Sequence, residues 1–153
     1  MKTKIVLFGL LVAVSHEVSA ADARHTPERG SPERQSICDG ARVYVIKKYS
    51  SAATLPQPLI FKIERIEVLG SYCSFQAIPL FKDGSPISTE YIEDVVFDLC
   101  LKRTDSKWRV IYDFSRTDVP NDAELKQMWR TFPKEFPFVL LPKFWRDHFN
   151  RIK

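Results

Sequence analysis

The sequence predicts an α+β fold: a long N-terminal helix packed on a curved four-stranded antiparallel sheet, followed by C-terminal helices. Two observations support this fold class. One early segment repeats its apolar residues at helical spacing, and four later segments have the composition or the alternation of strands. A helix followed by a run of strands is typical of α+β rather than alternating α/β architecture.

The first twenty residues are predicted to be a secretory signal peptide. Lys2 and Lys4 form a basic start, "IVLFGLLVAV" is an apolar run, and "VSA" supplies small residues before a cut. The apolar run is too short to span a bilayer, which takes about 20 residues. We expect cleavage after Ala20 and a periplasmic protein; a buried helix or an uncleaved anchor is the alternative.

A flexible leader and then a helix are predicted next. Residues 21–31 are polar and contain proline and glycine, which indicates a mobile leader before a single domain over residues 32–153. Ser31 followed by Pro32 is a typical helix start, and apolar positions recur on one face as far as Tyr49. The prolines of "LPQP" prevent the helix from continuing.

Four strand-like segments follow, separated by turn signals. They cover residues 59–69, 72–81, 91–103 and 108–114. Alternation places Asp98, Cys100 and Lys102 on the face away from the core, and Asp113 toward solvent or the second face of the sheet. A meander of this kind wrapped on one long helix predicts a cystatin-like or NTF2-like roll.

The stretch "KWRVIYDFSRTDVPND" concentrates polar side chains where the fourth strand ends, and it could form either an active-site edge or a helix cap. Asn121 and Glu124 have the spacing of a capping box, in which each side chain binds the other residue's backbone N–H. Thr117 and Asp118 are typical turn residues. These assignments favour cap and turn, and they leave no paired carboxylates for catalysis.

The tail from about residue 121 is rich in aromatic residues and broken by prolines. Phe144, Trp145 and Phe149 share one face of a short final helix, with basic residues such as Arg146 around it. One interpretation is that the tail closes over the sheet and completes the core. The other is an exposed aromatic and basic face for a partner protein or for weak contact with an anionic membrane surface.

Three cysteines lie in the mature chain, which is an odd number for an exported protein. Cys38 and Cys73 both fall on apolar faces, so a disulfide between them is one prediction. Free thiols that behave as small hydrophobic residues are the other. Pairing of Cys73 with Cys100 is disfavoured, because it would place Phe75 opposite Asp98.

Composition and spacing argue against several functional classes. The formal net charge of +4 comes without a clustered basic stripe, so nucleic-acid binding is not indicated. There is no CxxC pair, and the mature histidines, His25 and His148, lie near opposite ends of the chain. We therefore predict no metal site and no cofactor. No histidine is placed to activate a cysteine, which argues against a thiol enzyme.

Three segments also resemble a group of small exported proteins of Gram-negative bacteria to which no activity is assigned. The segments are "RQSICDGARVYV", "FKIERIEVLGSYCSFQAIP" and "SKWRVIYDFSRTDVP". Cys38, Gly40, Ala41 and the long aromatic tail depart from the pattern of the group. The resemblance implies the α+β roll and a periplasmic location, and it implies no catalytic residue.

The sequence therefore favours a non-enzymatic periplasmic binding protein, which docks another exported protein as an inhibitor or an immunity-type partner would. The candidate contact residues are those of the tail: Phe144, Trp145, Arg146 and Phe149.

Two alternatives remain open. The first is a small-ligand pocket or enzyme in the mouth of the roll, which rests on fold analogy alone. Its candidate lining residues are Tyr72, Gln76, Tyr112 and Asp113. The second is peripheral membrane association through the tail.

Overall fold

A computed structural model describes residues 23–49, 59–85, 87, 96–115 and 118–152. The helices are α1 (Pro32–Tyr49), α2 (Asp122–Thr131) and α3 (Lys143–Ile152), with a short 3-10 turn at Phe138–Leu140. The strands are β1 (Ile60–Leu69), β2 (Tyr72–Leu80), β3 (Phe97–Thr104) and β4 (Lys107–Asp113). They form an antiparallel meander in the order β1-β2-β3-β4. The predicted α+β class is confirmed, although the sheet curls only weakly. The predicted signal peptide lies outside the described residues.

The segment before α1 differs from the predicted flexible leader. His25 exchanges two backbone hydrogen bonds with Val68 of β1, at 3.0 and 2.8 Å. The Arg34 guanidinium donates to the carbonyl oxygen of Pro27 at 3.0 Å, and Pro27 is buried. Residues 23–31 are therefore held against the sheet. The polar composition suggested disorder, but β1 offers a free edge that satisfies this backbone.

Helix α1 covers the first face of the sheet. Ser31 caps it, because the Arg34 amide donates to the Ser31 hydroxyl at 3.2 Å. Its buried stripe, Ile37, Cys38, Ala41 and Val45, packs on the apolar side chains of the strands in one core. The predicted bounds of this helix are confirmed.

Gly40 brings α1 unusually close to β4. A Cβ at this position would lie 2.4 Å from the carbonyl oxygen of Trp108, closer than such atoms can approach. Glycine is therefore required here by space, and the helix backbone rests directly on the strand backbone.

The tail covers the second face of the sheet, so the interpretation that it completes the core is confirmed. Trp145 and Phe149 of α3 are buried in a second core that also contains Phe114, Leu125, Phe132, Phe136, Leu140 and Leu141. Strand β3 is consequently buried on both faces from Phe97 to Leu101. The prediction that Asp98 and Cys100 face away from the core is therefore wrong, because the tail turns the outer face into a second interior.

A bulge in β4 changes which way its end faces. Leu101 pairs with Val110 but Cys100 pairs with Tyr112, so one extra residue stands in β4. Tyr112 therefore joins the second core, while Asp113 turns toward α1 on the first face. The predicted orientation of Asp113, toward solvent or the second face, is wrong for this reason.

Local turns and caps follow the sequence closely. Asn121 Oδ1 accepts from the amides of Ala123 and Glu124 at 2.9 and 3.0 Å, and the Asn121 amide donates to Glu124 Oε2 at 2.8 Å. The predicted capping box is confirmed. The two-residue turn between β3 and β4 has positive φ at Asp105 and Ser106, as twisted hairpins favour.

All three cysteines are free and buried. The disulfide between Cys38 and Cys73 is not formed, and the alternative of thiols acting as small hydrophobic residues is confirmed. Burial raises the pKa of each thiol above its ordinary value. The thiols are accordingly poor nucleophiles in the folded protein.

Candidate functional site

The candidate functional site is a pocket of about 300 Å³ where the start of β3 meets α3. Its floor includes Asp98 of β3, Trp145 of α3 and Gln76 of β2. Three exposed apolar side chains, Val96, Val119 and Phe144, form its rim. We call this the Asp98 pocket.

Asp98 is held at the floor by hydrogen bonds from two side chains. The indole Nε1 of Trp145 and the amide Nε2 of Gln76 donate to Asp98 Oδ2, at 2.6 and 3.2 Å. The Asp98 amide donates to the Ser115 hydroxyl at 3.0 Å. Asp98 Oδ1 is buried and has no hydrogen-bond partner among the described residues. An unsatisfied buried acceptor lowers the free energy of unfolding, and such groups are rare in folded proteins.

The ionisation of Asp98 is shifted by its surroundings. Burial raises the pKa of this carboxyl from 3.8 to about 6, since the charged form loses its water. The hydrogen bonds from Trp145 and Gln76 and the charge of Arg65 lower the pKa, but they do not offset burial. Carboxyls shifted in this way beside a pocket are typical of functional sites.

The rim of the pocket is apolar and open to solvent. Val119 is 67% exposed and Phe144 is 41% exposed. The Phe144 ring packs edge-on against Trp145, with ring centres 4.8 Å apart, and it also packs on the His148 ring at 4.0 Å. An aromatic ring that is held in place yet half open to water is suited to contact a partner.

The tail residues predicted from the sequence divide between this pocket and the core. Phe144 and Trp145 line the pocket, whereas Phe149 is fully buried in the second core. Arg146 donates to the carbonyl oxygen of Val139 at 2.9 Å. The exposed aromatic face is therefore wrong for Trp145 and Phe149, because these rings pack on Phe114 rather than facing water.

The four residues predicted to line a ligand pocket are not brought together. Gln76 lines the Asp98 pocket, while Tyr72 packs on Phe136 and the Tyr112 hydroxyl donates to the carbonyl oxygen of Met128 at 3.1 Å. Asp113 lies on the other face of the sheet. The prediction of one pocket lined by all four is wrong.

Asp113 is instead a structural link between β4 and α1. Its Oδ2 accepts from the Tyr44 hydroxyl at 2.8 Å and from Lys48 at 2.5 Å, and its Oδ1 accepts from the Ser115 amide at 2.8 Å. Burial and Asp113 together raise the pKa of Tyr44. Burial lowers the pKa of Lys48, but Asp113 outweighs it and the net shift is upward.

Asp98 is the candidate site residue that sequence reasoning missed. The available signal was a single acid inside the otherwise apolar run "VVFDLCL", which is typical of a strand buried on both faces. The partner that makes Asp98 informative, Trp145, lies in the tail, and no local pattern connects the two.

Within the described ranges, no group of three or more histidine, cysteine or acidic side chains could hold a metal ion. No helix in that part of the chain has the length and apolarity of a membrane span. Comparison of the chain with protein-family profiles, with curated proteins and with solved structures gives no match.

Proposed function

We propose that this chain is an exported, non-enzymatic binding protein whose Asp98 pocket receives an apolar side chain of another exported protein. One observation carries the proposal. Three exposed apolar residues, Val96, Val119 and Phe144, surround one pocket instead of being scattered over the surface. The proposal that the chain is exported is based on the signal-peptide pattern of residues 1–20.

The state of the carboxyl favours binding over catalysis. A general acid or base must come within hydrogen-bond reach of the proton it transfers. Asp98 Oδ1 is shielded from solvent, and Oδ2 already accepts from Trp145 and Gln76. The carboxyl therefore serves to fix Trp145 at the pocket floor, and the rim makes the contact.

Site-specific photo-crosslinking tests this proposal. A benzophenone amino acid is placed at Phe144 or at Val119, and at exposed Lys126 of α2 as the control. We expect the two rim positions to crosslink to the same exported protein in cells, and position 126 to give no such product. Crosslinks to unrelated proteins from the rim, or equal yield from position 126, would contradict the proposal.

Two substitutions then test the contact itself. Phe144→Ala and Val119→Asp should each reduce the affinity for the crosslinked partner at least roughly tenfold, as truncation of a contact residue does. Both residues are exposed, so the unfolding midpoint should stay near that of the parent protein. Unchanged affinity in both variants would remove the rim from the interface.

A small-ligand function is the second candidate, and the size of the pocket favours it. A volume of about 300 Å³ is at the lower end of ligand sites. Native mass spectrometry of the protein taken from periplasm, without reductant, separates the two candidates. A small added mass that Phe144→Ala removes would favour a ligand, and a second protein would favour the interaction.

Membrane association receives less support from the structure. Phe149 and Trp145 are buried, which leaves Phe144 as the exposed aromatic side chain of α3. Lys143 and Arg151 are paired with Asp147 and Asp122. Flotation with anionic vesicles at low salt tests membrane association, and absence of binding would rule out this function.

A further inference from the structure

A second surface lies in the other layer of the fold, between α1 and β4. It is a groove of about 710 Å³, more than twice the size of the Asp98 pocket. One wall is a helical stripe that contains Gly40, Val43 and Lys47, and the other wall is residues 107–110 of β4. We call it the α1–β4 groove.

Val43 gives this groove an apolar centre. It lies in the middle of α1, is 70% exposed, and lines the groove together with Val110 and Trp108. A β-branched residue at an exposed helix position is slightly unfavourable for the helix itself, because its rotamers are restricted. Val43 therefore stabilises neither the helix nor the core, and it is available for contact with another molecule.

The charges around the groove have one dominant sign. Lys107 and Arg109 are exposed, and within the described ranges their side chains form no hydrogen bond or ion pair, while Lys47 lines the same wall as Val43. The acid in the lining is Asp39, which accepts from Arg42 at 2.6 Å and is thereby neutralised. The groove consequently presents unneutralised positive charge beside an apolar centre.

The edge of the sheet runs along the same groove. β4 is an outer strand of the described sheet, with β3 on its inner side. A free edge of this kind accepts an extended segment through its main-chain groups, while side-chain pockets supply specificity.

From these observations we infer that the α1–β4 groove docks an extended acidic segment of another exported protein. An apolar side chain of that segment packs on Val43 and Val110, and its carboxylates face Lys107 and Arg109. The inference rests on the proposed function only in that both describe an interaction protein. The two surfaces lie on opposite faces of the sheet, so either can fail alone.

The test uses two labelled model peptides of alternating residues, one of glutamate and valine and one of lysine and valine. Fluorescence anisotropy measures binding to the intact mature protein. We expect the acidic peptide to bind, the basic peptide not to bind, and the affinity to fall as salt rises. Amide NMR shifts should cluster at Val43 and Val110. Absence of binding, or equal binding of both peptides, overturns the inference.

Charge reversal then assigns the contacts. The double variant Lys107→Glu/Arg109→Glu should bind the acidic peptide at least roughly tenfold more weakly and should gain affinity for the basic one. The matched control, Lys126→Glu/Arg130→Glu on α2, changes net charge equally and should leave binding unchanged. Equal loss in both variants would show that net charge alone is responsible, and the groove would be rejected.

Val43→Asp tests the apolar contact without disturbing the core, and it should abolish binding of the acidic peptide. Sedimentation of the protein without peptide tests whether a second copy of the chain fills the groove instead. A dimer that Val43→Asp dissociates would show that a second copy fills the groove, and this would also overturn the inference. Loss of groove binding with intact crosslinking at Phe144 would leave the proposed function standing.

Discussion

The indole of Trp145 donates a hydrogen bond of 2.6 Å to the carboxyl of Asp98, and it joins α3 to β3 across 47 positions of sequence. The ring itself stacks on Phe114, with ring centres 4.6 Å apart. One side chain therefore both fills the second core and satisfies the buried acid. The ionisation of Asp98 and the packing of the tail are consequently coupled.

Asp98→Asn should stabilise the protein at neutral pH. Because burial raises the pKa of Asp98 from 3.8 to about 6, the folded state binds this proton more tightly than the unfolded state. Its contribution is most favourable below pH 4 and is lost as pH rises through about 6; the whole difference is on the order of 3 kcal/mol. Urea unfolding at about pH 4 and about pH 7.5 measures it.

The variant should gain stability at the higher pH and show a flatter pH dependence than the parent. Asp105→Asn, in the exposed hairpin turn, is the control and should leave the pH dependence unchanged. A loss of stability that is equal at both pH values would show that Asp98 is not protonated more readily in the folded state.

Trp145→Phe should keep an aromatic ring in the core but remove the donor to Asp98. Asp98 Oδ2 would then keep the longer hydrogen bond from Gln76. Removing one partner of a buried acceptor costs up to about 1–3 kcal/mol, and more when the acceptor is charged. The loss should therefore be larger at about pH 7.5 than at about pH 4. Phe149→Leu, which alters packing in the same core, should cost the same at both pH values. A pH-independent loss for Trp145→Phe would contradict the hydrogen bond.

Gly40→Ala should destabilise the protein although alanine is the better helix former. The new Cβ would meet the Trp108 carbonyl oxygen at 2.4 Å, and relief requires α1 to move away from β4. Overpacking of this kind costs about 1–3 kcal/mol, more than the roughly 1 kcal/mol that helix propensity returns. Urea unfolding checks the sign, with exposed Gln35→Ala of α1 as the neutral control. A stabilised Gly40→Ala would show that the helix can shift freely.

The segment before α1 should be sensitive to pH through His25. The hydrogen bond to Glu33 at 2.9 Å raises the pKa of His25 above its ordinary value of 6.5. The contact is therefore complete below 6.5 and is lost as pH rises through the folded pKa. NMR titration of the His25 ring should show the raised pKa, and Glu33→Gln should lower it. Glu28→Gln is the control and should leave the titration unchanged.

Features fixed by neighbouring residues could be predicted from the sequence. The bounds of α1 follow from Ser31, Pro32 and the apolar stripe, and the capping box of α2 follows from the spacing of Asn121 and Glu124. In each case the side chains and backbone groups that interact lie within one or two helical turns of each other. Helix propensity and capping hydrogen bonds then depend on the same short segment, so the local sequence pattern can predict both.

Features that depend on distant parts of the chain could not be predicted in this way. The local sequence of β3 is compatible with a half-exposed strand and with one buried on both faces. The tail decides between the two, because it covers the second face and brings Trp145 to Asp98. The bulge in β4 reverses the side on which Asp113 lies, although nothing in the local composition marks it. One added residue changes the face of every side chain after it.

The rates at which the buried cysteines react with a thiol reagent report local unfolding of the protein. Cys38 of α1 and Cys73 of β2 lie in the core between the helix and the sheet, and Cys100 of β3 lies in the core beneath the tail. Cys73 and Cys100 are fully buried, so a thiol reagent can reach either sulfur only after the layer that covers it detaches. The modification rate of Cys100 therefore reports detachment of the tail, and that of Cys73 reports detachment of α1. The ratio of the two rates shows which of the two layers detaches from the sheet more readily.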